Sequence, residues 1–169
     1  FVSGSNVYGQ LGIGKESTQS TIFVLLTREV EDIACGVSHS LIYMKNKELL
    51  GFGNNDNGQL GIGNNKNEYE PVLVMKEIEI KTISCGYQHS LILTMKGELF
   101  VCGSNLNGQI GRPKEIKKEI KPFLLMIDPE IATICCGVNH SMILKKNGEL
   151  FVFGNNSNGQ IGFGEEIKE

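Results

Sequence analysis

Three cysteine–histidine pairs with the same spacing are the residues in this chain best suited to chemistry. They are Cys35 and His39, Cys85 and His89, and Cys136 and His140. A thiolate and an imidazole are typical zinc ligands and typical partners in nucleophilic catalysis. Structural zinc needs four ligands that converge on one point, whereas each pair here lies in a separate copy of a repeated segment. We therefore predict no metal site and no catalytic residue, histidines that bond backbone groups at a strand entrance, and cysteines that act as small buried apolar side chains.

A second chemical motif is a near match to a phosphate-binding loop at residues 9–17. The stretch runs from Gly9 through Gly14 and Lys15, but Glu16 stands where a Ser or Thr hydroxyl should hold magnesium. No helix is predicted to follow and direct its amides at a phosphate. The glycines belong to the repeat, so we predict no nucleotide site and no cofactor.

The glycines of that false match belong to a nine-residue motif that occurs four times, at residues 4–12, 53–61, 103–111 and 154–162. Each copy has the pattern Gly-Ser/Asn-Asn-x-x-Gly-Gln-Leu/Ile-Gly. Gly and Asn tolerate the left-handed dihedrals of sharp turns, and we expect the glutamine amide to satisfy loop carbonyls. A period of about 50 residues indicates a repeat architecture, in which each unit buries its apolar face on its neighbours.

Two other landmarks keep the same period: a Cys-Gly-x-x-His-Ser segment with an apolar run, and a Glu-Leu-Leu/Phe segment after a short turn. The positions assigned to this repeat framework are Gly4, Asn6, Gly9, Gln10, Gly36, His39, Gly53, Asn55, Gly58, Gln59, Gly86, His89, Gly103, Asn105, Gly108, Gln109, Gly137, His140, Gly154, Asn156, Gly159 and Gln160.

Each period is predicted to hold four strands and no long helix. The expected first strands start after the chain turns past the glycine motif, two of them at a proline, because proline belongs at a strand start or an edge. The predicted strands are 21–26, 30–35, 39–44 and 49–53; then 71–75, 80–85, 89–94 and 98–103; then 122–127, 131–136, 140–145 and 149–154. Asn147-Gly148 predicts a hairpin with a type I′ turn, and the charged insert 114–121 is expected to form one or two helical turns.

This pattern closely resembles the regulator-of-chromosome-condensation repeat family, over essentially the whole chain. The resemblance implies an all-β fold, a β-propeller segment of about three four-stranded blades from a seven-bladed propeller. We divide the chain into the end of one repeat (1–14), three repeats (15–63, 64–111 and 112–164) and the start of a further connection (165–169). Because three blades fall short of the four to eight of closed propellers, we expect a longer parent protein.

Composition narrows the function classes. The net charge of −3 comes from interspersed acids and bases, so we predict no nucleic-acid binding for this segment. No apolar run is long enough for a membrane span. Five cysteines form no Cys-x-x-Cys and no complete disulfide framework, which favours the cytoplasm or nucleus. The chain has no tryptophan, which excludes the tryptophan-based light sensing of one plant relative.

Function is expected in the loops, because a repeated frame carries variable loops that bind partners. The most divergent loop, residues 112–121, carries five basic residues predicted to contact an acidic protein partner: Arg112, Lys114, Lys117, Lys118 and Lys121. A merely solvated charged loop is the competing interpretation. The resemblance implies a protein-interaction scaffold, with guanine-nucleotide exchange on a Ran-type small GTPase as the alternative. An enzyme acting on a small substrate is a third hypothesis, for which no residues are identified.

Overall fold

The computed structural model describes residues 1–162, which form thirteen β-strands. Their bounds are β1 Val2–Ser5, β2 Gln19–Val24, β3 Val30–Cys35, β4 His39–Met44, β5 Glu48–Gly53, β6 Glu68–Lys76, β7 Ile80–Cys85, β8 His89–Thr94, β9 Glu98–Ser104, β10 Lys118–Ile127, β11 Ile131–Cys136, β12 His140–Lys145 and β13 Leu150–Gly154. The described part of the chain contains no helix, so the all-β prediction is confirmed. The predicted connection 165–169 lies outside the described residues.

The strands form four antiparallel sheets. In each sheet the hydrogen-bonded neighbours follow one another in sequence. Sheet 1 has the order β1-β2, sheet 2 the order β3-β4-β5-β6, sheet 3 the order β7-β8-β9-β10 and sheet 4 the order β11-β12-β13. The outermost strand of sheets 2 and 3 follows the glycine motif, so it comes from the next period of the sequence. Main-chain hydrogen bonds therefore join sheets 2 and 3 to the repeat that follows each of them.

Six predicted strands match the structure residue for residue, namely β3, β4, β7, β8, β11 and β12. The prediction that proline opens the outermost strands is wrong. Pro71 and Pro122 lie inside β6 and β10, at places where the register with the neighbouring strand shifts. A register shift leaves backbone groups outside the ladder, so the missing proline N–H removes no ladder bond there.

The predicted hairpins are present, but the type I′ turn is wrong. Gly148 has a φ of 89°, whereas Asn147 does not adopt a positive φ. The Gly148 N–H bonds the Lys145 carbonyl at 3.0 Å, and Gly97 and Lys47 repeat this geometry. This is a three-residue loop, in which only the last residue is left-handed.

The charged insert contains no helix. Its one turn is closed by a bond from the Ile116 N–H to the Pro113 carbonyl, 3.0 Å long. From Lys118 onward the insert is β10. Ladder bonds with β9 outcompete a helix too short to be stable alone.

The sheets stack face to face, and the apolar core lies between them. One cluster joins Leu41 and Leu49 of sheet 2 to Ile80 and Ile92 of sheet 3. A second joins Leu91 and Val101 of sheet 3 to Ile131 and Ile143 of sheet 4. Strand β8 is buried along its whole length because sheet 3 is covered on both faces, as the continuous apolar run predicts.

The first strands of successive sheets, β3, β7 and β11, touch one another, which places them nearest the axis of the stack. The loops divide between two faces. The glycine-loop face consists of residues 6–18, 36–38, 54–67, 86–88, 105–117, 137–139 and 155–162. The hairpin face consists of residues 25–29, 45–47, 77–79, 95–97, 128–130 and 146–149. Pairing of His39 with Gly53 shows that the Cys-Gly-x-x-His loop and the glycine motif share one face.

Candidate functional site

The asparagine of each glycine motif holds its loop closed. The Asn105 Nδ2 donates to the carbonyls of Arg112 (2.9 Å), Pro113 (3.2 Å) and Ile116 (2.8 Å). Its Oδ1 accepts from the Ile110 N–H at 3.4 Å. Equivalent bonds are made by Asn6, Asn55 and Asn156. The loop of residues 112–121, called here the basic loop, is therefore held at its start by hydrogen bonds from a buried amide of the repeat framework.

Asn105→Asp is expected to destabilise the protein by about 2 kcal/mol, because a carboxylate oxygen would replace the NH2 group that faces three carbonyl acceptors. The midpoint of urea unfolding measures the effect. Asn147→Asp is the matched control, because the exposed Asn147 Oδ1 accepts from the Glu149 N–H and an aspartate oxygen keeps that bond. Equal midpoints for the two variants would contradict the closing role of Asn105.

The glutamine of the motif works mainly as an acceptor, which differs from the sequence-based expectation. The Oε1 atoms of Gln10, Gln59, Gln109 and Gln160 accept from the backbone N–H two residues earlier, at 2.8–3.0 Å. The Nε2 atoms of Gln59 and Gln160 donate to asparagine side chains.

The motif glycines adopt the positive φ that the turns require. These are Gly4, Gly9, Gly12, Gly53, Gly58, Gly61, Gly103, Gly108, Gly111, Gly154, Gly159 and Gly162. A side chain on Gly58 would also meet the backbone of Ile120 at 2.8 Å, so this glycine permits the glycine motif to pack on strand β10.

The side chains of His39 and His89 bond serines of the neighbouring sheet, so the prediction that they bond backbone groups is wrong for these two histidines. The His39 Nε2 lies 2.8 Å from the Ser90 Oγ, and the His89 Nε2 lies 2.9 Å from the Ser141 Oγ. Each serine hydroxyl in turn donates to a glycine-motif carbonyl, that of Gln59 (2.8 Å) or Gln109 (2.7 Å). The serine that always follows the histidine was the sequence signal for this partnership.

The hydrogen-bond directions fix the histidine tautomer. Since each serine hydroxyl donates its only hydrogen to a carbonyl, the histidine Nε2 must donate to the serine oxygen. Because the single ring hydrogen is on Nε2, the Nδ1 atoms of His39 and His89 are unprotonated. Both Nδ1 atoms are buried and have no hydrogen-bond partner. Burial, and secondarily the neighbouring His89, lowers the pKa of His39 to about 3. Burial and His140 lower the pKa of His89 to about 4. Both rings are neutral at pH 7.

The cysteines whose pKa is shifted are not activated as nucleophiles, because their pKa is raised. Burial raises the pKa of Cys102 and of Cys136 to about 12, and it raises that of Cys85 well above its usual range. All five cysteines are free. Cys35 is exposed, so the prediction that the cysteines of the three pairs are buried is wrong for Cys35. Cys135, which belongs to no pair, is also exposed. In residues 1–162, no group of three or more His, Cys, Asp or Glu side chains could hold a metal ion.

The near match to a phosphate loop is an ordinary turn of the repeat. The Gly14 N–H bonds the Tyr69 carbonyl at 2.9 Å, and the Lys15 ammonium lies 4.8 Å from the centre of the Tyr69 ring. The turn leads into strand β2 and not into a helix.

Lysines on the two faces differ in how their charge is balanced. On the hairpin face, Lys45 pairs with Glu29 (3.2 Å) and Lys47 with Glu79 (2.7 Å). Lys145, which ends β12 there, pairs with Asp128 (2.8 Å), and its hydrogen bond lowers the pKa of that carboxyl group. Lys146 pairs with Glu130 (3.6 Å). In contrast, Lys117 of the glycine-loop face is exposed, as are Lys118 and Lys121 at the start of β10, whose side chains lie beside Asp56 and Gly63 of that face. These three lysines form no ion pair within residues 1–162.

Arg112 differs from the lysines of the basic loop. Its Nε lies 3.0 Å from the Glu119 Oε1, and its guanidinium stacks 3.7 Å from the centre of the Phe123 ring. Lys118 extends to the neighbouring glycine motif, where its Nζ lies 3.5 Å from the Asp56 carbonyl. Lys114 and Lys117 are exposed on the loop itself. The structure thus ties the arginine to the framework, and it leaves the lysines of residues 112–121 exposed.

Comparison with protein families gives matches along most of the chain. The model described as "Regulator of chromosome condensation (RCC1) repeat" matches residues 1–43, 47–93 and 96–144. A second model of that description matches residues 30–59, 80–109 and 131–160, which span the three inner strands of a sheet and the start of the glycine motif.

Curated relatives share these repeats. The chain is 41% identical to probable E3 ubiquitin-protein ligase HERC4 of Rattus norvegicus, across 98% of this chain and 16% of that protein. It is 37% identical to human probable E3 ubiquitin-protein ligase HERC6, across 82% and 14%. It is 32% identical to the X-linked retinitis pigmentosa GTPase regulator of Canis lupus familiaris, across 96% and 12%. The chain spans less than a fifth of the length of these relatives.

Solved structures show the same fold. Human WBSCR16 superposes with a TM-score of 0.76 at 22% identity, over 91% of this chain and 43% of that one. Prp20p of Saccharomyces cerevisiae superposes with a TM-score of 0.77 at 25% identity, over 90% and 40%. These similarities confirm that the stacked sheets are β-propeller blades. No helix among residues 1–162 has the length and apolar character needed to cross a bilayer.

Proposed function

The chain belongs to the regulator of chromosome condensation (RCC1) repeat family, and from that premise we propose that it is a protein–protein interaction platform. Its propeller blades hold loops on a rigid frame, and the glycine-loop face binds an acidic region of a partner protein. The lysines of residues 112–121 supply the attraction. The activity is binding, with no covalent step and no cofactor.

The observation that carries the proposal is the uneven balance of charge between the two faces. Four lysines at the hairpin face are paired with acids, so their charge is balanced within the chain, whereas the exposed Arg28 and Lys96 of that face form no ion pair among residues 1–162. Lys117, Lys118 and Lys121 are exposed without such partners among the described residues. Unpaired basic groups grouped on one face attract and orient an acidic partner. This favours an interaction surface over a merely solvated loop.

In this proposal Arg112 has a supporting role. Its guanidinium is occupied by Glu119 and Phe123, and its carbonyl accepts from Asn105. These contacts hold the base of the loop against strand β10. Lys114, Lys117, Lys118 and Lys121 are then presented from a fixed base, which lowers the conformational entropy lost on binding.

The alternative is guanine-nucleotide exchange on a Ran-type small GTPase. It is supported by the likeness to Prp20p, a structure described together with that protein's binding to Gsp1p and histones. In exchange, one propeller face would press on the GTPase and loosen its nucleotide. The five free cysteines support a cytoplasmic or nuclear location, where either function would operate.

Charge reversal on the two faces tests the platform. In the full-length protein, the triple change Lys117→Glu, Lys118→Glu and Lys121→Glu is expected to reduce partner capture at least tenfold after cross-linking in cells, because attraction becomes repulsion. The matched control is Lys45→Glu, Lys47→Glu and Lys146→Glu on the hairpin face. Partners recovered equally with both triple variants and the wild type would refute the proposal.

The same proteins separate the alternative. A Ran-type exchange factor accelerates release of labelled GDP from Ran at catalytic amounts, whereas a platform only binds. If the wild-type protein accelerated GDP release, the exchange function would be assigned to it in place of the platform function.

A further inference from the structure

One apolar feature of the glycine-loop face has no role in the core. Val37, Tyr87 and Val138 occupy the same position in three repeats, directly after the glycine of the Cys-Gly-x-x-His-Ser segment. Their exposed fractions are 58%, 40% and 58%. Apolar side chains in the same exposed position of consecutive repeats indicate a surface that another molecule covers.

The loops that carry these three side chains lie side by side, and the three side chains are called here the axial strip. The Val37 N–H donates to the Gly86 carbonyl at 3.4 Å, and the Tyr87 N–H donates to the Val138 carbonyl at 3.0 Å. Main-chain bonds therefore hold the three loops side by side near the axis of the stack. A rigid backbone beneath an apolar strip reduces the entropy lost when a ligand binds.

A recess of about 350 Å³ opens at the axial strip. It is lined by Val37, Val138, three glycines and three cysteines: Gly36, Gly86, Gly137, Cys35, Cys85 and Cys136. None of these residues carries a formal charge at neutral pH when the thiols are protonated. The recess is therefore suited to an apolar side chain and not to a charged one.

The basic loop lies on the same face, farther from the axis. The Asn54 N–H bonds the Ser38 carbonyl at 2.7 Å, so the glycine motif starts beside the loop of residues 36–38, which carries Val37 of the axial strip. Two residues later, the Asp56 carbonyl lies 3.5 Å from the Lys118 Nζ. An extended chain advances about 3.3 Å per residue, so a segment of roughly ten residues reaches across this face.

We propose that the axial strip receives an apolar side chain, leucine or aromatic, from an acidic extended segment of the partner protein. Acidic residues of that segment contact Lys117, Lys118 and Lys121, while its apolar residue enters the recess. The inference rests on the proposed function and adds the element that selects among acidic partners. Charge attracts many sequences, whereas a buried apolar contact discriminates between them.

A second copy of the chain is the less suitable occupant. The loops of the glycine-loop face carry more bases than acids: Lys15, Lys66, Arg112, Lys114 and Lys117 against Glu16, Asp56 and Glu115. Two such faces brought together would repel each other, whereas an acidic segment is attracted.

Two synthetic decapeptides test the axial strip by fluorescence anisotropy with the full-length protein. Both contain glutamates on either side of one central residue, which is leucine in the first and serine in the second. We expect the leucine peptide to bind at least tenfold more tightly than the serine peptide. The double variant Val37→Ser and Val138→Ser, which changes two residues of the recess wall, is expected to remove most of that difference. Met95→Ser, at an exposed apolar site on the hairpin face, is expected to leave it unchanged.

The outcomes separate this inference from the proposed function. Equal binding of both peptides, or no binding of either, would refute the axial strip. If the triple lysine reversal left peptide binding unchanged, the basic loop would be refuted while a persistent leucine preference upheld the strip. Sedimentation that showed a dimer of the wild type, abolished by Tyr87→Ser, would assign the strip to a second copy and overturn the proposal.

Discussion

Gly86→Ala is expected to cost at least about 3 kcal/mol of unfolding free energy, because the glycine has no room for a methyl group. A Cβ there would lie 2.5 Å from the His89 Nδ1 and 2.6 Å from the Gly137 carbonyl oxygen. The histidine ring is buried and the carbonyl belongs to the next blade's backbone. Relief of the clash would therefore displace the ring from Ser141 or separate the blades.

Gly148→Ala is the control for this result. Gly148 has a φ of 89°, but a Cβ there meets nothing within 4 Å. Its cost comes from backbone strain alone and should be about 1–2 kcal/mol. Gly86 does not adopt a left-handed φ, so its cost is steric. Urea unfolding of both variants measures the two losses of unfolding free energy. A smaller loss for Gly86→Ala than for Gly148→Ala would show that the loops of residues 36–38, 86–88 and 137–139 are not tightly packed.

Lowering the pH from 7 to 5 is expected to remove about 4 kcal/mol of stability through His39 and His89 together. Their pKa values are about 3 and about 4 in the folded protein, against 6.5 unfolded. Between pH 6.5 and the folded pKa, the unfolded chain binds more protons than the folded one. Stability is therefore fully present above pH 6.5 and falls by about 2 kcal/mol per histidine by pH 5.

Urea unfolding at pH 5, 6, 7 and 8 measures this dependence. The double variant His39→Gln and His89→Gln retains a side-chain N–H donor for each serine but has no group that titrates in this range. It should be less stable at pH 7 and nearly insensitive to pH between 5 and 7. An unchanged pH dependence in the double variant would assign the effect to other groups.

The repeating residues made the strands predictable from the sequence. Six strands match to the residue because the Ile-x-Cys and His-Ser segments combine short-range turn signals with apolar runs, and both act locally. The Gly positions of the loops were predictable for the same reason, since left-handed dihedrals restrict residue choice wherever they occur. The left-handed expectation is wrong for the motif asparagines, which have no positive φ and bond loop backbone groups through their side chains.

Partnerships between repeats depended on the tertiary structure. The bond of His39 to Ser90 crosses 51 positions, and no local pattern states which blade supplies the acceptor. Likewise, Pro122 lies inside strand β10 because the sheet accommodates it at a register shift, and Arg112 is tied to Glu119 and Phe123 by packing. The axial strip appears only when three distant loops meet at one axis. Local backbone preferences are written in consecutive residues, but the pairing of surfaces is decided by how whole sheets stack.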